Sequence, residues 1–360
     1  MMKNILYFNR TMKLGGTEKV ILQLCDTMKD SVDKIVVCTL GGANVERLEK
    51  MGIKHYEIPD IERKDPVTII KTLKMVSKII KDENINIVHT HHRMAAFYTR
   101  ILSFFKKFTF INTAHNTFED KKFLTRFSLK KAKVIAVGEM VKKNLTDFYG
   151  LKESQVTVIY NSVEEFDGNF NVIPKLEKYK NEGYVLVGNI GRLRPQKGMN
   201  YYIEAADKIL SKGKKAKFFI VGDGPEKDNL NSQIKSLKRE KDIILLGQRQ
   251  DVQNVMKQLD FIVLSSLWEG LPLIPLEAFS VKKPVVATKV DGTPEIVRNK
   301  FNGLLVEAKN TLELSEAMLK LIENNNLIEE YSKNAYETYV NKFSYSIFKK
   351  NYIEFYNNIN

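Results

Sequence analysis

The chain is poor in cysteine, in long apolar runs and in acidic charge. Only two cysteines occur in 360 residues, Cys25 and Cys38, and their spacing is neither a metal nor a redox motif. Two such thiols do not imply a disulfide framework. No uninterrupted apolar run approaches the roughly 18 residues of a membrane span. Met-Met-Lys-Asn leads straight into the apolar run Ile5–Phe8, leaving no room for a basic region, apolar core and cleavage site. The expectation is a cytoplasmic protein. No Asp-x-Asp occurs, and His89-Thr90-His91-His92 has no acidic or cysteine companions, so no metal and no other cofactor is expected. Neither a helix-turn-helix nor an RNA-reading aromatic sheet motif is present, and no short repeat. Acid is scarce relative to base: 43 acidic against 57 basic residues leave a net charge of +14. That excess favours an anionic partner, whether nucleic acid, anionic lipid or a phosphorylated small molecule.

What the chain has is apolar residues in short, regularly spaced runs, 43% in all, ample for two cores. Strand-like runs alternate with helical patterns from Ile5 to Ile159 and again from Tyr184 to Ala287. Such alternation predicts α/β architecture with two doubly wound, parallel, Rossmann-like sheets. The polar stretch 164–182, with Gly168 and Pro174, reads as the break between them. The expected divisions are a first domain over 1–164, a second over 183–342 and a C-terminal segment over 343–360.

The most telling stretch is Ser265–Phe279, Ser-Ser-Leu-Trp-Glu-Gly-Leu-Pro-Leu-Ile-Pro-Leu-Glu-Ala-Phe, which follows the apolar run Phe261–Leu264. Gly270 and Pro272 break the chain there, and Pro275 suits the first turn of a helix. Free N–H groups of the turn at Gly270 and Leu271, together with the positive end of the helix dipole, suit a phosphate. Glu269 before the turn and Glu277 inside the helix can point into one crevice. A carboxylate beside a phosphate site needs donors, and sugar or ribose hydroxyls supply them. The run Gly191-Arg192-Leu193-Arg194-Pro195-Gln196-Lys197-Gly198 is another strand-to-helix loop. Its Arg192 and Lys197 can flank a diphosphate and neutralise charge on a leaving group, Arg192 with two oxygens at once. Gly15-Gly16 and Val221-Gly222-Asp223-Gly224-Pro225 are further glycine junctions, the first permitting positive φ and the second placing Pro225 at the start of a helix. Gly247-Gln248-Arg249 is a comparable junction, suited to covering a base. His115 closes the run Phe110–Ala114, at the strand edge where open α/β sheets bind ligands. Asp291-Gly292-Thr293-Pro294-Glu295 and Asn302-Gly303 read as structural turns.

The Glu-x7-Glu pattern with Glu-Gly-Leu-Pro in front and Leu-Glu-Ala behind, the Gly-Arg-Leu…Lys-Gly loop, Gly-Asp-Gly-Pro and Gly-Gly-Thr-Glu together resemble the nucleotide-sugar glycosyltransferases of family four. The resemblance spans nearly the whole chain. It implies the GT-B fold, two Rossmann-like domains facing a cleft, with the C-terminal segment crossing back onto the first domain. It implies a retaining transferase without a metal, in which front-face attack lets the leaving phosphate draw the acceptor proton. Glu269 would hold sugar hydroxyls, Glu277 the ribose, and Gly15, Gly16 and Gly222 would approach the donor's diphosphate or nucleotide. His115 matches a histidine of the family that meets the donor sugar or acceptor hydroxyl. The Asn116 after it departs from the usual Asp or Gly. The expected catalytic set is His115, Glu269, Arg192 and Lys197, with a nucleotide sugar, most simply a UDP-sugar, as substrate.

Between Arg93 and Lys143 lie Lys106, Lys107, Lys121, Lys122, Arg126, Lys130, Lys131, Lys133, Lys142 and Lys143, interleaved with Phe104, Phe105, Phe108, Phe118, Phe123 and Phe127. Either the rings are core and the lysines solvated, or the two together meet an anionic membrane surface. In the second case the protein sits on the inner face of the plasma membrane and the acceptor is a lipid-linked saccharide of capsule, exopolysaccharide or cell-wall synthesis. The rival activities are a nucleotide-sugar epimerase of the same shape, a sugar-nucleotide sensor, and a basic nucleic-acid binder.

Overall fold

Short apolar runs flanked by glycine and helical segments make strands that are buried on both faces, and such strands pair in parallel. The computed structural model describes residues 3–166 and 168–359. It divides into two units, Met1–Asn161 with Ser346–Asn360, and Ser162–Tyr345. The first unit is built on seven parallel strands: β1 (Asn4–Phe8), β2 (Lys34–Thr39), β3 (Lys54–Glu57), β4 (Ile87–Thr90), β5 (Thr109–Ala114), β6 (Lys133–Ala136) and β7 (Val156–Val158). Their order is β3-β2-β1-β4-β5-β6-β7. The second unit has six: β8 (Val185–Ile190), β9 (Ala216–Val221), β10 (Ile243–Gly247), β11 (Phe261–Leu264), β12 (Val285–Thr288) and β13 (Gly303–Val306). Their order is β10-β9-β8-β11-β12-β13.

In both sheets the chain winds outward one way, returns to the middle, and winds out the other way. The reversal falls between β1 and β4 in the first sheet and between β8 and β11 in the second. Loops leaving the two central strands diverge there and open a crevice at the carboxyl edge. β1 and β4 pair in register Tyr7↔His89 and Phe8↔Thr90, so the histidine-rich end of β4 emerges beside the loop after β1. The helix Tyr345–Asn357 buries Phe348, Tyr352 and Tyr356. The hydroxyl of Tyr356 meets His89 Nδ1 at 2.6 Å, a contact within the first unit.

The alternating elements stand close to their expected limits, with local exceptions. The stretch 164–182 holds a helix, Pro174–Asn181, with Leu176 fully buried. It belongs to the second unit, where Asn254 and Gln258 bond the backbone of Asn171 and Ile173. The helix after β11 starts at Leu273, which puts Pro275 at its third position. The helix after β9 starts at Lys227, so Pro225 precedes it instead of opening it. Among the described residues no helix is long and apolar enough to cross a membrane.

Glu83, the cap at the end of helix Pro66–Asp82, ties the amino edge of the first sheet together. Lys34 donates to it at 2.9 Å, Lys54 at 2.7 Å, and Tyr56 adds a short third bond. Those three donors, Lys54 foremost, lower its pKa from 4.5 to about 2. A lowered folded value means stability that is present above pH 4.5 and lost as pH falls towards 2. Glu83→Gln is expected to cost about 1–2 kcal/mol at pH 7 by urea unfolding. Its deficit against wild type should shrink as the titration is repeated at lower pH through that window.

Candidate active site

The loops at the carboxyl edge of the second sheet are stitched to one another by their backbones. The N–H of Gly191 bonds Val221 O at 2.9 Å and that of Gly222 bonds Gly247 O at 2.9 Å, joining the loops after β8, β9 and β10. Leu267 N–H bonds Gln196 O at 2.7 Å and Gly292 N–H bonds Gly270 O at 3.0 Å, joining those after β8, β11 and β12. This proximity requires glycine at several positions, Gly222 and Gly198 among them. Gly222 has φ +148°, and a Cβ on it would collide with Gly191 O. Gly198 has φ +55°, and a Cβ there would collide with Ser265 O.

The stitching brings Lys197 and Glu269 into contact beside the sheet reversal. Lys197 Nζ donates to Glu269 Oε1 at 2.5 Å, and both side chains are largely buried. Ser266 Oγ donates to the same oxygen at 2.6 Å. The Glu269 N–H is accepted by Asp291 Oδ2 at 2.6 Å, so the Asp-Gly turn after β12 holds the acidic loop in place. Ser265 Oγ donates to Lys197 O at 2.9 Å and receives Asn189 Nδ2 at 2.8 Å. Glu269 Oε2 makes no bond to another described residue and is left to accept from a ligand. A primary ammonium, a carboxylate with one free oxygen and the start of helix Leu273–Ser280 thus share one loop cluster. That set can receive a phosphate on one side and hydroxyls on the other.

The remaining expected residues of this unit lie on the same loops with less direct linkage. Arg192 is exposed on the loop of Lys197, Gly270 and Leu271 are buried in the turn after Glu269, and Glu277 is half-buried on the helix that follows. Arg249 closes one fork on Asp251 at 2.8 and 2.7 Å, which fixes its orientation while leaving its Nη1 edge and flat face for a base. Trp268, the chain's single tryptophan, precedes Glu269 and is 54% exposed. Sequence reasoning passed over Ser266 and treated Asp291 as a turn residue. The hydroxyl next to Glu-Gly was the available signal for the first, and only packing reveals the second. Asn302 is structural, bonding Arg298 N and Ile296 O.

The first unit carries its own cavity, about 640 Å³, at the carboxyl edge by the β1–β4 reversal. The ends of β1, β4 and β5 supply Arg10, His91 and His115, and the first helix supplies Thr17 and Glu18. That helix, Gly16–Met28, starts after Gly15, whose φ of −173° is extended backbone. Gly15-Gly16 therefore makes no left-handed turn. What the pair presents is a helix start without a side-chain cap. Thr11 Oγ1 donates to Glu18 Oε1 at 2.8 Å across this opening. Arg10 forks onto Asp60, both bonds at 2.9 Å, and also pairs with Glu62.

His115 is bonded by its Nε2 to His91 Nδ1 at 3.1 Å, with the rings stacked. His91 is buried and its Nε2 has no partner. It stacks in turn on His89, centroids 4.4 Å apart. Both nitrogens of His89 are engaged, by Tyr356 and by Thr113, so the histidine-rich strand end forms a stacked column. Burial keeps the column neutral, holding His115 near 4 with some help from His92, and His89 near 3 with some help from His115. Two neutral imidazoles sharing one bond have coupled polarity. If His91 donates, His115 Nδ1 carries the other proton; if His115 donates, its Nδ1 is an acceptor.

Residues 173–338 match the family model described as glycosyl transferases group 1, and residues 14–165 match that of glycosyltransferase family 4. The chain is 28% identical over 355 residues to the UDP-Gal:alpha-D-GlcNAc-diphosphoundecaprenol alpha-1,3-galactosyltransferase of Escherichia coli, covering 92% of this chain and 90% of that protein. Among solved structures, a glycosyltransferase from Rickettsia africae superposes with a TM-score of 0.84 at 24% identity, over 98% of both chains. Anabaena HepE in complex with UDP-glucose gives 0.84 at 22%, over 99% of this chain and 100% of that one. At these identities the structural likeness is one of fold, GT-B.

The histidine column makes a pH signature. Its folded pKa values lie below the ordinary 6.5, so the unfolded chain takes up protons first as pH falls. Stability is therefore expected to decline from pH 6.5 towards 4, and urea midpoints at pH 7 and 5 should differ less in a His91→Gln/His115→Gln variant than in wild type. Equal differences in both proteins would remove the column as the cause.

Proposed function

The chain belongs to the glycosyl transferases of group 1 and family 4, and from that membership we propose that it moves a hexose or N-acetylhexosamine from a UDP-sugar to a hydroxyl of a lipid-linked saccharide. The observation that carries the donor half is the Lys197–Glu269 contact at the reversal of the second sheet. Lys197 and Arg192 take the diphosphate, Glu269 Oε2 and Glu277 take sugar and ribose hydroxyls, and Gly222, Gly247, Gly270 and Leu271 give backbone approach. The sugar–phosphate C1–O bond breaks as a new C1–O bond forms to the acceptor oxygen. The acceptor's proton passes to the leaving phosphate, on the face it leaves, so the anomeric configuration is retained. Two cations supply the charge neutralisation that a divalent ion provides elsewhere. Losing one is worth about 3 kcal/mol in the transition state.

The first-unit cavity suits the acceptor, with His115 beside its hydroxyl and Gly15 and Gly16 at the helix start on its rim. The Escherichia coli relative's name gives a diphosphoundecaprenol acceptor, and this chain has a surface fitted to lipid. Of the six interleaved phenylalanines, Phe108 packs against the core of the first sheet. Phe104, Phe105, Phe118, Phe123 and Phe127 are exposed, Phe105 at 79% and Phe123 at 88%. Lys107, Lys121, Lys122, Arg126, Lys130 and Lys131 are exposed among them. Phe118, Lys121 and Leu124 also line the cavity, so the patch and the cavity are continuous. Rings in the acyl boundary with lysines at about 1 kcal/mol each on anionic headgroups make a membrane-surface contact.

A thermal-shift panel of nucleotide diphosphates and their sugars tests the donor: a UDP-sugar at a hundred times its Kd should stabilise by about 2.7 kcal/mol. Trp268 fluorescence should report the same binding. Arg192→Ala, Lys197→Ala and Glu277→Ala should each weaken it, and wild-type affinity in all three would sink the site. Transfer of labelled sugar to a polyprenyl-diphosphate saccharide should survive EDTA. Abolition by EDTA would refute the metal-free mechanism, and donor turnover with no acceptor present would favour an epimerase.

A further inference from the structure

Building on the membrane-surface reading above, we propose that Arg100 is a seat for the phosphate of an anionic lipid headgroup. Arg100 lies in the last turn of helix Arg93–Leu102 and is only 5% exposed. Its guanidinium stands 4.3 Å from the ring centre of Phe104 and 5.4 Å from that of Phe127. Nη1 donates to Ser103 Oγ at 3.1 Å, and Nε is buried with no partner. Among the described residues no carboxylate pairs with it.

A cation taken out of water without a counter-charge is costly. The two rings offset part of that cost through the face of the guanidinium, where cation–π attraction acts. The rings cannot satisfy its N–H donors, and Nε is left without a partner. A fork of donors on a flat cation matches two oxygens of a phosphate. The fold therefore keeps a charged donor in place whose complement is an anion supplied from outside.

The surroundings choose the source of that anion. The rings that cover Arg100 are themselves exposed, Phe104 at 58% and Phe127 at 39%, and the still more exposed Phe105 and Phe123 belong to the same patch. Exposed rings cost little to move into an acyl layer, and doing so uncovers the guanidinium at the depth of the headgroup phosphates. Free phosphate offers nothing to the rings, whereas a lipid phosphate carries its own apolar surface. The surrounding lysines bring the protein to an anionic leaflet, and Arg100 then holds one headgroup by its fork.

The test is binding of the full chain to phosphatidylcholine vesicles with and without phosphatidylglycerol. Arg100→Gln should lower affinity for the anionic vesicles about tenfold, and Arg100→Lys should restore only part of it, since an ammonium lacks the fork. Phe105→Ser/Phe123→Ser should weaken binding to both kinds of vesicle. If that double variant binds like wild type, the membrane reading falls and the seat with it. If the double variant loses binding while Arg100→Gln, with an unchanged Tm, binds like wild type, the seat alone is overturned. Should Arg100→Gln fail to fold, Arg100→Lys decides, and wild-type affinity there refutes the fork. Stabilisation of wild type but not Arg100→Gln by inorganic phosphate, without any Arg100-dependent vesicle binding, would replace the lipid with a soluble phosphate.

Discussion

The second unit depends on one ion pair, Lys197 to Glu269, held where the β-sheet reverses. Either member alone would be a largely buried charge without its partner, which is costly. Together they neutralise each other and fix two loops that are distant in sequence. The pair is also asymmetric. Lys197 and Ser266 both address one oxygen of Glu269, which leaves the second oxygen available. Lys197 keeps further donors for an incoming anion. In the proposed reaction, an arriving pyrophosphate would meet a cation that is already oriented, and a sugar would meet an acceptor that is already largely buried. Such groups need little reorganisation when charge develops on a leaving phosphate.

The same topology serves the first unit differently. Its reversal carries histidines where the second carries an ion pair, and burial keeps them uncharged. A neutral histidine can hand a hydroxyl either a donor or an acceptor, and its stacked neighbours settle which. Through His89 the column reaches Tyr356, on a helix contributed by the far end of the chain. The C-terminal helix is thus tied into the floor beneath His115.

Much of this was legible beforehand. Alternating apolar runs announce parallel strands because a strand covered on both faces has no polar side to show. β11 stands at the limits its apolar run announced, Phe261–Leu264. The loop chemistry was equally plain: Gly191–Gly198 and Ser265–Phe279 each end a strand and begin a helix. Errors came where propensity and packing disagree. Helix Pro174–Asn181 has a sparse apolar pattern, and a single buried Leu176 secures it. The proline before Glu226 looks like a helix opener, yet Gly224 first closes against Leu193.

The sequence by itself determined the two α/β folds, the family and the loops on which Arg192, Lys197, Glu269 and Glu277 sit, because periodicity and glycine turns are local properties of the chain. Only the tertiary structure decided that Lys197 touches Glu269, that Asp291 anchors it, that His91 backs His115 and that the phenylalanines around Arg100 face outward. Those are contacts between residues far apart in the chain, and a distance across a fold leaves no trace in the order of the residues.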